Sequence, residues 1–172
     1  MEAEILKIAA QLMTLSARTA PKSRGEDFIS IKIIEGDEVL ALARAVIKYG
    51  EETKKPNFDR DGKNLEKTRV ALLVGIKDAT AVGLDCGACG HDTCAELEPR
   101  KGPEFIGPFC ALRLLDMGIA IGSAVKTASI LNVDNRIMYR IGAVARKIGM
   151  VDWDFVMGIP LSATGKNIYL DR

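Results

Sequence analysis

Histidine is all but missing from this sequence: His91 stands alone among 172 residues. A Ser-His-Asp or Cys-His constellation needs an imidazole beside its nucleophile, and one histidine inside a cysteine cluster does not supply it. No catalytic residue is assigned. An excess of charge is missing too. With 24 basic and 23 acidic residues the formal net charge is +1, which argues against a nucleic-acid or polyanion binder. No uninterrupted apolar run approaches the roughly 20 residues of a membrane span. The acidic start Met1-Glu2-Ala3-Glu4 lacks the basic opening and cleavage site of a secretion signal. The expectation is a cytoplasmic protein that engages no membrane. A nucleotide-binding P-loop is also absent. Around Gly165-Lys166 the pattern would require Gly at position 160 and Ser or Thr at 167, where Pro160 and Asn167 stand, and too few residues follow for the helix that cradles a phosphate.

The cysteines are few but crowded. All four fall within Cys86-x2-Cys89-x4-Cys94-x15-Cys110, and the first three lie in the run Leu-Asp-Cys-Gly-Ala-Cys-Gly-His-Asp-Thr-Cys. Packing gives cysteines no reason to share one loop, whereas a soft metal centre needs thiolates converging from a short, tightly turning segment. A reducing compartment favours metal over two disulfides. The spacing has the logic of an iron–sulfur site, in which a loop grips three corners and another element, here Cys110, supplies the fourth. Gly87 and Gly90 would let backbone N–H groups turn toward the sulfurs. A [4Fe–4S] cluster is the leading reading. Structural zinc and reduced thiols remain open, although zinc ribbons pair two Cys-x2-Cys knuckles and only one occurs here. His91 reads as a turn residue, since four cysteines complete the site; replacement of one ligand by His91 is the alternative.

Along the chain, Ile5, Ile8, Ala9, Leu12 and Met13 form a helical stripe that gives way to a basic, hydroxyl-rich loop over 16–25. Alternation from Phe28 to Ile34 predicts a strand with Ile29, Ile31 and Ile33 on one face, and Gly36-Asp37 opens a helix through Ile47. Residues 51–67 are polar, hold Pro56 and Gly62, and read as an exposed loop before the apolar strand 70–76. A small-residue helix is predicted over Ala111–Leu131, Asp134 is a plausible N-cap for a helix over 135–148, and the last strand runs from Trp153 to Ile159. Trp153, beside Val151 and Phe155, reads as a core anchor. No internal repeat occurs. The expected fold class is α+β, a single domain over 1–172, with a mixed or antiparallel sheet flanked by helices and the cysteine loop inserted at about 83–110.

The cysteine run, with Asp116-Met-Gly-Ile-Ala-Ile-Gly-Ser-Ala-Val-Lys126, Val133-Asp-Asn-Arg-Ile-Met-Tyr139 and Gly158-Ile-Pro-Leu-Ser-Ala-Thr-Gly-Lys166, resembles the family of proteins containing a ferredoxin domain. That family is similar to the nitroreductases, which implies a homodimeric sandwich with FMN at the dimer interface. The nitroreductase phosphate motif is basic-basic-Ser-x-Arg. Ser16 and Arg18 match it, while Thr14 and Leu15 replace the basic pair, with Lys22 and Arg24 nearby as compensating charge. The resemblance also places Gly122 and Ser123 beside the flavin and brings Lys166, with Arg172, as a second basic group. It implies an FMN-dependent oxidoreductase of unspecified substrate. The alternatives are an electron carrier or redox sensor that lacks flavin and acts through a redox protein partner, and a structural zinc protein on the same scaffold.

Overall fold

The computed structural model describes residues 2–170. Its helices are α1 (Glu2–Thr19), α2 (Asp37–Thr53), α3 (Phe58–Glu66), α4 (Ala111–Ile130) and α5 (Tyr139–Lys147). Its strands are β1 (Ile29–Glu35), β2 (Val70–Ile76), β3 (Arg100–Lys101), β4 (Ile106–Gly107), β5 (Asp134–Asn135) and β6 (Phe155–Ser162). The main sheet has the order β1-β2-β6-β5 and is antiparallel throughout, one of the two arrangements expected for the α+β class; β3 and β4 form a separate hairpin.

β2 is buried at every position. The reason is that it lies inside the sheet with helices on both faces, so alternate side chains enter two different cores. Val70, Leu72 and Val74, with Ile159 and Leu161 of β6, pack on α1 and α4. Ala71 and Leu73, with Val156, pack on α2, α3 and α5. The expected face of Ile29, Ile31 and Ile33 joins the first core, and Trp153 lies in the second. α1 and α4 approach closely through Ala9, Ala10 and Ala17 on one and Ala120, Ala124 and Ala128 on the other. Gly142 permits α5 to lie directly on β6, because a Cβ there would fall 2.0 Å from the Val156 carbonyl oxygen. Among the described residues no helix is long and apolar enough to cross a membrane.

Four element assignments change. Ser16 to Thr19 are the last turn of α1 and not loop, because Ala17 continues the buried stripe and Lys22 caps the helix end. Residues 51–67 are mostly helical. Phe58, Asp61, Gly62 and Leu65 are a buried helical stripe that composition conceals, since Asp61 is neutralised by Arg60 and Arg140 at 2.7 and 3.0 Å. Asp134 does not cap a helix. It pairs with Ser162 as part of β5, and α5 begins only at Tyr139, after Met138 bridges Gly158. β6 starts later than expected and continues through Pro160 to Ser162, where β5 supplies a neighbour for Leu161 and Ser162.

Candidate metal centre

The cysteine loop leaves β2 and returns at the N-terminus of α4. It turns on backbone in the left-handed region at Gly83, Asp85, Gly87 and Gly90 (φ 79°, 47°, 71° and 88°). Glycine takes this conformation without a Cβ clash, and Asp is among the few other residues that tolerate it. The Gly90 N–H closes a turn on the Gly87 carbonyl at 2.9 Å, and the Asp85 carboxylate accepts the Cys94 N–H at 2.7 Å. A 3-10 turn over Cys94–Glu96 then redirects the chain.

These turns bring Cys86, Cys89, Cys94 and Cys110 to the wall of one cavity, with Asp85, His91 and Leu97. All four are free thiols. His91 lies on the same wall, its Nδ1 4.0 Å from Glu96. Among the described residues, no three Cys, His, Asp or Glu side chains converge tightly enough to hold one metal ion. Four thiolates are the donor set either of a [4Fe–4S] cluster, one cysteine to each iron, or of a tetrahedral zinc.

Cys110 is the buried member and the N-cap of α4. Burial pushes its thiol pKa up, but the N–H groups of Val82, Arg113 and Leu112 and the nearby Arg113 guanidinium outweigh burial, so the net shift is downward. A thiolate at a helix N-terminus is favoured by the exposed N–H groups and the helix dipole.

Behind it lies a group to which the sequence reading assigned nothing. Arg113 is 2% exposed, yet its guanidinium donates to the Thr80 carbonyl at 2.9 Å and the Ser23 carbonyl at 3.0 Å. It also pairs with Glu26 and with Asp116 of α4, and lies 4.7 Å from the centre of the Phe28 ring. Asp116 in turn accepts the Ser23 N–H and hydroxyl at 2.8 and 2.9 Å. The pair ties three segments together: the loop before β1, the start of the cysteine loop, and α4. Its signal was an Arg and an Asp three apart in the otherwise apolar first half of α4, a pattern that is tolerated inside only when paired.

The residues assigned to flavin lie in two places. Ser16 on α1 shares a hydrogen bond of 2.6 Å with Thr127 of α4. Arg18 donates to Asp27 at 2.8 Å and to the Ile29 carbonyl at 2.7 Å. The Lys22 ammonium donates to the carbonyls of Ala17, Arg18 and Ala20, closing the C-terminus of α1. Gly122 and Ser123 fall on α4 between these anchors, and nothing stands within 4 Å of where a Gly122 Cβ would be. Lys166 is elsewhere. Arg18 holds Ile29, which lies in register with Ile76 and Phe155, whereas Asn167 bonds Asp134, the partner of Ser162 at the far end of β6. Seven residues of strand separate the two ends, roughly 20 Å. Arg172 lies outside the described residues.

A family model described as "Uncharacterized protein containing a ferredoxin domain" matches residues 106–172. A protein of Archaeoglobus fulgidus, named only as uncharacterized, is 50% identical over 171 residues, 98% of this chain and 92% of that one. Among solved structures, the FMN-dependent nitroreductase NfnB from Mycobacterium smegmatis, in complex with NADPH, superimposes with a TM-score of 0.63 at 10% identity, covering 92% of this chain and 78% of that one. A nitroreductase with bound FMN from Desulfitobacterium hafniense gives a TM-score of 0.60 at 11% identity, with the same coverage of the two chains. At these identities the likeness is one of fold.

Proposed function

Since this chain belongs to the family of uncharacterized proteins containing a ferredoxin domain, on a nitroreductase-like α+β fold, we propose that it is a redox protein whose Cys86, Cys89, Cys94 and Cys110 hold a [4Fe–4S] cluster. One observation carries the reading: four free thiols, three from a glycine-turned loop and one from a helix N-terminus, line a single cavity. Such a cluster supplies one-electron exchange when bound. The chain's own part is to hold the thiolates, with N–H groups aimed at Cys110 and Arg113 fixing the helix beneath it. Four free thiols also suit a reducing cytoplasm.

The fuller form of the proposal is an FMN-dependent oxidoreductase acting as a homodimer. It rests on the family's likeness to FMN-binding nitroreductases, with Ser16, Arg18, Lys22, Gly122, Ser123 and Lys166 as the residues that would hold the flavin by that resemblance. The open face of α4 at Gly122 leaves room for a flat ring. Because Arg18 and Lys166 sit at opposite ends of one chain's sheet, a phosphate held by both requires Lys166 from the second protomer. An exposed apolar stripe favours that pairing: Ile5, Ile8, Leu12 and Leu15 on α1, and Leu115 and Ile119 on the antiparallel α4. A second reading is a carrier or sensor with a cluster but no flavin, acting through a protein partner. The bonds of Arg18 to Asp27 and of Lys22 to three carbonyls favour it, since both cations are already engaged.

Anaerobic purification followed by iron, zinc and acid-labile sulfide analysis, and assay of released flavin, separates these readings. Iron and sulfide near four per chain with FMN support the oxidoreductase, and the same without FMN supports the carrier. Cys89→Ala should lose the iron. Zinc at one per chain without sulfide, or iron unchanged by the substitution, sinks the cluster.

A further inference from the structure

Beside the cysteine cavity lies a more open groove of about 750 Å3, within the usual range for small-molecule sites. Its aromatic side is a cluster around Phe155 of β6: the Phe105 ring lies 4.4 Å from it, tilted by 40°, and the Phe109 ring 6.3 Å away, edge-on. The hairpin that carries Phe105 is closed by the Gly102 N–H on the Phe105 carbonyl at 2.7 Å. It is pinned to the sheet by the Ile106 N–H on the Asp154 carbonyl at 3.0 Å. Leu114 of α4 adds an apolar wall. The groove shares Ala88, Cys89 and Ala111 with the cysteine cavity.

The charged groups on this groove are unequal. Arg100 and Lys101 are exposed, and no ion pair or side-chain hydrogen bond to either is found among the described residues. Glu104, the acidic group lining the groove, is taken by the Lys55 ammonium at 2.5 Å and the Tyr49 hydroxyl at 3.4 Å. An apolar groove walled by aromatic rings, with two cations that have no ion-pair partner among the described residues, complements a flat molecule carrying one negative group.

We propose that this groove binds a small aromatic carboxylate, its ring against Phe105, Phe109 and Phe155 and its carboxylate at Arg100 and Lys101. The ligand would then rest against Cys89, one residue thick from the cysteine cavity. The site goes beyond the redox reading and stands without it, because its rings and cations are in place whatever the four thiols hold.

The test is calorimetric titration of the full-length, anaerobically purified protein with 1-naphthoate, and with the neutral 1-naphthalenemethanol for comparison. Saturable 1:1 binding of 1-naphthoate is expected with Kd below about 1 mM, and weaker binding of the alcohol. Arg100→Glu with Lys101→Glu should weaken 1-naphthoate about tenfold or more. Leu114→Asp, with both cations intact, should do the same. Lys48→Glu with Lys63→Glu, an equal charge change on α2 and α3, should leave binding within about twofold. No saturation by about 5 mM overturns the proposal, as would happen if a second copy of the chain fills the groove. Equal affinity for the alcohol, or for the Arg100→Glu/Lys101→Glu protein, overturns it as well.

Discussion

Replacing Arg113 by methionine tests how the helix that presents Cys110 is held. Methionine retains the apolar stem against Phe28 but removes the donors to the Thr80 and Ser23 carbonyls and the countercharge of Asp116. Removing one member of a buried ion pair costs roughly 3–5 kcal/mol. Two features put this case at the lower end. Asp116 keeps both bonds from Ser23, and the half-exposed Glu26 carboxylate can turn to water. The expected loss is therefore about 3 kcal/mol. With a urea m-value near 2 kcal/mol per molar, the unfolding midpoint should fall by about 1.5 M. Asp116→Asn in the same chain removes the stranded charge and should restore about 1 kcal/mol. Circular dichroism during urea unfolding of metal-free, reduced protein reads both changes without contribution from a bound cluster. A midpoint shift below about 0.3 M at unchanged m would refute the view that this network carries the joint.

Gly142→Ala places a Cβ 2.0 Å from the Val156 oxygen, backbone against backbone. It should cost about 3 kcal/mol, a fall in Tm of roughly 6–12 °C, and an unchanged melt would contradict the close packing of α5 on β6. For Asp27, burial pushes the carboxyl pKa up, but Arg18, the Ile29 N–H and Lys22 outweigh it, leaving the folded value below the ordinary 3.8. The unfolded chain then binds the proton first, so stability from this group is present above 3.8 and lost as pH falls through the folded value. Urea stability should decline more steeply between about pH 5 and 3 in the native protein than in Asp27→Asn, and parallel curves would count against the ion pair. Ile8→Glu, in the exposed stripe of α1, should convert a dimer to monomers in sedimentation velocity. A native chain that sediments as a monomer would instead remove the homodimer.

Much of the site was legible because it is local. Cys86, Cys89 and Cys94 sit within nine residues, and the glycines between them can turn a loop without help from the rest of the fold. The helix over 111–130 and the strands around Ile31 and Leu72 were equally readable, since a long periodic apolar pattern commits a segment before any partner is known. α3 was not, because its buried stripe includes Asp61, and a carboxylate reads as surface until Arg60 and Arg140 are found beside it. Asp134 misled for a related reason: its partner, Ser162, lies 28 residues away.

The sequence by itself marked the four cysteines as candidate ligands and made the long periodic elements α1, α2, β1, β2 and α4 readable, because these depend on neighbours along the chain. Cys110 already read as the fourth corner, but only the tertiary structure brought it to the wall of the same cavity as the other three, braced α4 behind it with Arg113 and Asp116, and set Arg18 and Lys166 at opposite ends of one sheet. Those outcomes depend on strand register and on the packing of α4 against the sheet, and both are set by contacts between segments that the linear order keeps apart.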